Sequence, residues 1–135
     1  MNSSQVGELY KTPKIIAVVG LSDKPERPSY QVASYLKKLG NHIIPVNPNI
    51  KEALGEESFE SLLDVPAKVD IVDIFRSPEE VPEIVDQAIK IGADVIWMQE
   101  GVSHAGASQK ARDAGITVIE NMCMMKEHKK LKARS

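Results

Sequence analysis

Residues 20–29, GLSDKPERPS, bring one glycine, two cations (Lys24 and Arg27) and two hydroxyls (Ser22 and Ser29) into a single short loop. The loop follows an apolar run, Ile15–Gly20, and precedes a segment with helical periodicity. That combination suits an anion. Gly20 lets the chain turn sharply and lets ligand oxygens approach the backbone. A helix starting near Ser29 aims free N–H groups outward, and Lys24 and Arg27 supply positive charge. Arg76 follows another apolar run, and its guanidinium can grip a phosphate with two parallel bonds. A surface loop with incidental charges is the plainer account, because one glycine before a polar loop is a weak signal.

The missing parts of the pattern narrow the ligand. Dinucleotide-binding domains carry G-x-G-x-x-G after the first strand and an acidic residue at the end of the second. Here only Gly20 is present, and the second position reads Val46-Asn47-Pro48, which is neutral. A nicotinamide cofactor is therefore disfavoured. Asn47 offers donor and acceptor without repelling phosphate, and Pro45 and Pro48 stiffen that edge.

These residues need a scaffold that gathers them. Five apolar runs rich in Val and Ile serve: Ile15–Gly20, His42–Val46, Val69–Phe75, Asp94–Met98 and Ile116–Ile119. Nearly continuous hydrophobicity is the mark of parallel strands buried on both faces. Between them lie helical patterns. Ser29–Leu39 places Val32, Tyr35, Leu36 and Leu39 on one stripe, closed by Gly40. Ser77-Pro78-Glu79-Glu80 is a capping box opening a helix that Gly92 ends. Ser103 is expected to cap a helix closed by Gly115, and Asn121 to cap the last helix, while Ser58–Leu63 reads as a short helical turn. The alternation predicts an α/β, Rossmann-like, doubly wound parallel five-stranded sheet, strand order 3-2-1-4-5, with helices on both faces. Residues 1–12 read as an N-terminal extension, residues 13–135 as a single domain. Ligands of such sheets bind beyond the carboxyl ends of the strands, which is where the polar residues collect.

Composition sets the outer limits. A chain of 135 residues supports one core. A formal net charge of −2 argues against general nucleic-acid binding. The single cysteine, Cys123, leaves no intrachain disulfide, and with no signal-peptide pattern the expected location is cytoplasmic. No apolar run is long enough for a membrane span. Cys123 among Met122, Met124 and Met125 reads as core packing, with a mixed disulfide to a thiol ligand as a minor alternative. Asp73 lies inside an apolar run and is expected to take donors from the first loop.

Taken in order, GLSDKPERPSY, IIPVNPN, LGEESFESLLDVP, VDIVDIFRSPEEVPEIV, WMQEGV and NMCMMKEH resemble the small stand-alone CoA-binding proteins, which are similar to the CoA-binding domain of the succinyl-CoA synthetase alpha subunit. The resemblance covers roughly residues 12–131. It implies coenzyme A, or acyl-CoA, held across the strand ends. Gly20, Leu21, Ser22, Lys24, Arg27, Pro28 and Ser29 would line the phosphates. Val46, Asn47 and Pro48 would lie near the adenosine or pantetheine. Phe75, Arg76 and Pro78 would form the opposite wall, with Trp97 and Gly101 closing the site. Trp97 could equally pack beneath a helix.

No phosphorylatable histidine motif accompanies the pattern, and no catalytic constellation is expected. The leading expectation is a non-catalytic CoA-binding module that senses CoA or acyl-CoA, buffers it, or presents it to a partner enzyme. The alternatives are a CoA-dependent transferase or ligase component, a nicotinamide-dependent oxidoreductase, and a pure interaction domain.

Overall fold

A computed structural model describes residues 3–134. Its elements alternate along the chain: α1 (Ser3–Glu8), β1 (Ile15–Val19), α2 (Pro28–Lys38), β2 (His42–Val46), β3 (Glu52–Ala53), β4 (Glu56–Glu57), β5 (Ile71–Ile74), α3 (Val81–Ile91), β6 (Val95–Met98), α4 (Ala105–Asp113), β7 (Thr117–Ile119) and α5 (Met124–Arg134). Short 3-10 turns at Leu62–Asp64 and Pro78–Glu80 precede β5 and α3. No helix among the described residues is long and apolar enough to cross a membrane.

The five long strands form one parallel sheet, in the order β2-β1-β5-β6-β7. The α/β, doubly wound architecture is the one the sequence predicts. The strand order is not: numbered within the sheet it runs 2-1-3-4-5 rather than 3-2-1-4-5. The third sheet strand, β5, crosses to the far side of β1 and pairs with it, Ile16 opposite Ile71 and Val19 opposite Ile74. The connection that carries it holds only the β3–β4 hairpin and a 3-10 turn, so no crossover helix marks its path in the sequence. This moves the topological switch point to the seam between β1 and β5.

Side-chain alternation divides the core into two layers. Ala17, Val19, Ile44, Val72, Ile74, Ile96 and Met98 pack against α3, α4 and Leu62. Ile16, Val18, Ile43, Ile71, Val95 and Trp97 pack against α1, α2 and the start of α5. Each fully buried Ile or Leu contributes about 1.5–3 kcal/mol. The helix α3 shows how its sequence earns its place: Val81, Ile84, Val85 and Ala88 form the buried stripe, and Gly92 closes it in the left-handed region at φ 74°. The Glu80 carboxylate accepts from the Ser77 N–H at 3.3 Å and hydroxyl at 3.2 Å, so the predicted box forms, but it opens the 3-10 turn that leads into α3.

Two caps differ from expectation. His104, not Ser103, caps α4: its Nδ1 accepts from the Ala107 N–H at 3.0 Å. Asn121 adopts φ 55° and accepts from the Gly101 N–H at 2.7 Å instead of capping α5. The Cys123 carbonyl receives the first α5 bond, from the Glu127 N–H at 2.9 Å.

Candidate functional site

The site is built on the seam between β1 and β5. Gly20 ends β1 at φ 92°, and its N–H donates to the Val46 carbonyl at 2.9 Å. A Cβ there would lie 2.5 Å from the Phe75 carbonyl oxygen and 3.2 Å from Arg76 Nε. Only glycine fits under the β5 tip and the Arg76 side chain at this point.

Beyond Gly20 the loop is held by its own hydroxyls. The Ser22 N–H donates to Ser29 Oγ at 3.0 Å, and the Lys24 N–H donates to Ser22 Oγ at 3.0 Å. Both oxygens accept from backbone, so each hydroxyl proton is left to donate. The loop delivers the chain into α2 with Arg27 extended (φ −78°, ψ 143°), Pro28 in the first turn and Ser29 buried. Arg27 offers no side-chain cap to the helix. The Ser29 and Tyr30 N–H groups therefore begin α2 without a carbonyl one turn behind them.

Asn47 organises the other wall. Its Nδ2 donates to the Leu21 carbonyl at 3.0 Å, and its Oδ1 accepts from the Asn49 N–H at 2.9 Å and from Arg76 Nη2 at 3.3 Å. Asn47 thus ties together the tips of β1, β2 and β5.

Two clefts meet at this contact: Asn47 lines one, Arg76 the other, and Asn49 both. The larger, of about 610 Å³, is lined by Gly20, Ser22, Asp23, Lys24, Arg27, Pro28, Ser29, Asn47, Asn49, Ile50 and Phe75. The smaller, of about 300 Å³, is lined by Val19, Val46, Pro48, Arg76 and Ile84, with Glu60, Glu80 and Glu83 among its polar members. Among the described residues Lys24, Arg27 and Arg76 form no ion pair with a carboxylate. Cations left unpaired beside open helix N–H groups make a surface that attracts anions.

Of the residues singled out in the sequence, Gly20, Ser22, Lys24, Arg27, Pro28, Ser29, Asn47 and Phe75 come together in the larger cleft, and Val46, Pro48 and Arg76 line the smaller one. Leu21, Pro78, Trp97 and Gly101 line neither. Leu21 is a core residue, reaching the site only through its carbonyl. Pro78 is exposed on the 3-10 turn before α3. Gly101 is exposed in the β6–α4 loop, bonded to Asn121. Trp97 is fully buried, donates its indole N–H to the Met122 carbonyl at 2.7 Å and meets Tyr10 edge-on at 6.4 Å. The strand order sets β6 one strand away from β1, with β5 between them, so Phe75 and Arg76 stand beside Gly20 while Trp97 and Gly101 lie farther along the sheet.

The expectation for Asp73 is also corrected, since its carboxyl group accepts from Gln99, just past the end of β6, rather than from the first loop. Cys123 is buried in the α1/α2/α5 layer and lines neither cleft. Asp23, Asn49 and Ile50 are lining residues outside the expected set. Asn49 stands in the quoted PVNPN stretch, but Ile50 carried no signal.

A family model described as a CoA-binding domain matches residues 14–129. The chain belongs to the CoA-binding domain family. Within that family its relatives fall into two kinds. The uncharacterized protein YneT of Bacillus subtilis is 38% identical over 127 residues, covering 94% of each chain. The ADP-forming acetate–CoA ligase II of Archaeoglobus fulgidus is 32% identical over 97 residues, which are 70% of this chain and 14% of the ligase. A solved structure of a hypothetical protein from Pyrococcus horikoshii superposes with a TM-score of 0.94 at 42% identity, covering 98% of this chain and 93% of that one. The CoA-binding domain therefore occurs both in small proteins of this size and as a minor part of ligases.

Proposed function

We propose that this chain binds coenzyme A or an acyl-CoA, with the phosphates in the cleft framed by Gly20, Lys24, Arg27 and the start of α2, and that it catalyses no reaction on its own. The carrying observation is the 610 Å³ cleft in which two unpaired cations meet the open end of a helix. Membership of the CoA-binding domain family supports the choice of ligand. The neutral end of β2 supports it further, because Asn47 is already committed to Leu21, Asn49 and Arg76 and offers no carboxylate to a ribose diol. Coenzyme A carries one more phosphate group than NAD, which suits a rim of cations without a ribose-binding acid.

The relation to acetate–CoA ligases supports a protein partner. In those enzymes the matched segment is a small part of the chain, so the remaining machinery must come from elsewhere if this domain takes part in acyl transfer. Presentation of CoA to a partner enzyme fits a domain of this size.

Isothermal titration with CoA, dephospho-CoA and NAD tests the reading. One CoA per chain is expected. Dephospho-CoA is expected to bind about 10- to 150-fold more weakly, the equivalent of about 1.5–3 kcal/mol for one charge-assisted hydrogen bond. NAD should give no heat. Binding of NAD without binding of CoA contradicts the proposal.

A further inference from the structure

We propose that Asp73 carries a proton in the folded protein and forms with Gln99 a cyclic carboxylic acid–carboxamide pair that staples β5 to β6 beneath the site. The geometry calls for this proton. Asp73 is fully buried and Gln99 nearly so. Gln99 Nε2 donates to Asp73 Oδ1 at 2.5 Å. That leaves two buried acceptors, Asp73 Oδ2 and Gln99 Oε1, each without a partner among the described residues. Two unpartnered acceptors on facing groups lack one donor. A proton on Oδ2 donating to Oε1 supplies it and closes the ring.

The surroundings offer no substitute. On the face that Asp73 shares with α1, α2 and α5 the titratable groups among the described residues include Tyr10, Tyr30, Tyr35, Cys123, Glu127 and His128. The Tyr10 hydroxyl already donates to the Met124 carbonyl at 2.9 Å, and the Trp97 indole N–H to Met122. Tyr35 is bonded to His128 at 2.7 Å. No lysine or arginine among the described residues pairs with Asp73. An ionised carboxylate here would be buried with one hydrogen bond and no counter-charge, which is costly. Burial accordingly pushes the Asp73 carboxyl up to about 7, against the opposing pull of the Gln99 bond.

Asp73 lies two residues before Phe75, whose carbonyl roofs Gly20, and the Gln99 N–H donates to the Ile74 carbonyl at 3.3 Å. The pair holds the ends of β5 and β6 where the rim of the larger cleft begins. Neither residue lines either cleft, so Asp73 and Gln99 are positioning residues, and the inference stands whatever the cleft binds.

The test uses the ligand-free protein. The folded state keeps the Asp73 proton to higher pH than the unfolded chain does, so its contribution is fully present below 3.8 and is lost as pH rises through about 7. Denaturation midpoints of the wild type should fall across that window. Asp73→Asn presents an N–H to Gln99 Oε1 and a carbonyl to Nε2, so it should keep the low-pH midpoint and flatten this part of the pH profile. Asp73→Leu should lower the midpoint at every pH. In parallel, the infrared spectrum of wild-type protein labelled with 13C-aspartate should show, near pH 6, a protonated-acid carbonyl band that disappears at alkaline pH. Absence of that band overturns the proposal, as does a pH profile for Asp73→Asn as steep as the wild type. If the asparagine variant does not fold, the infrared band alone decides.

Discussion

Gly20→Ala is expected to remove about 3 kcal/mol of stability, a large share of what a domain of this size possesses. Two separate costs combine. At φ 92° an L-residue with a Cβ pays about 1–2 kcal/mol for the left-handed backbone alone. The new Cβ also meets the Phe75 carbonyl oxygen at 2.5 Å. That oxygen is backbone at the tip of β5, held by the Phe75 N–H bond to the Val19 carbonyl at 2.9 Å. It cannot swing aside as a side chain would, so the β1–β5 seam must open, at a strain of about 1–3 kcal/mol. Urea denaturation reads the result as a lowered midpoint at unchanged slope. An unchanged midpoint would mean that the β1 tip can relax without disturbing β5. Because the same seam forms the floor of the cleft, ligand affinity should fall with stability.

Arg76→Ala is expected to behave in the opposite way, weakening CoA by roughly 1.5–3 kcal/mol, or about 10- to 150-fold, while leaving the fold intact. Arg76 is half-buried, and its one side-chain bond among the described residues, to Asn47, is long at 3.3 Å. Little folding energy depends on it. Its guanidinium stands over Gly20 and borders the smaller cleft, next to the larger one. A phosphate at that junction would gain a fork of two parallel donors, which lysine cannot reproduce. Arg76→Lys should therefore recover only part of the affinity. Titration calorimetry beside a thermal melt separates the two effects. Equal CoA affinity for Arg76→Ala and wild type would remove Arg76 from the site.

The contrast between these residues shows what the sequence makes legible. Gly20 and Asn47 are readable because each directly follows a strand, and Lys24 and Arg27 because they lie in the one polar loop that joins β1 to α2. Trp97 looks equally placed but lies one residue before the end of β6, and its register opposite Asp73 turns it into the α1/α5 layer. A single step along a strand reverses the face. The strand order was hidden for a different reason. Periodicity identifies strands, whereas order depends on the path between them, and residues 47–70 hold no full helix to trace it. The β3–β4 hairpin in that stretch turns through Leu54 and Gly55 at φ 55° and 78°. Asn-Gly would announce such a turn, and Leu-Gly does not. Ser103 and His104 show the limit for caps, since both side chains carry an acceptor and only the backbone path selects between them.

The acid–amide pair was legible only in half. A lone aspartate in an apolar strand signals a buried polar contact, but its partner lies 26 residues on, just past the end of the adjacent strand. Nothing short of the β5–β6 register names Gln99 as that partner.

Native mass spectrometry of the protein as purified, before and after addition of equimolar CoA and NAD, tests the central claim most directly. The account predicts a complex with the mass of one chain plus one CoA, stronger after CoA is added and diminished in Arg76→Ala. A spectrum of bare chain in the presence of CoA, or a complex formed with NAD in its place, would contradict it.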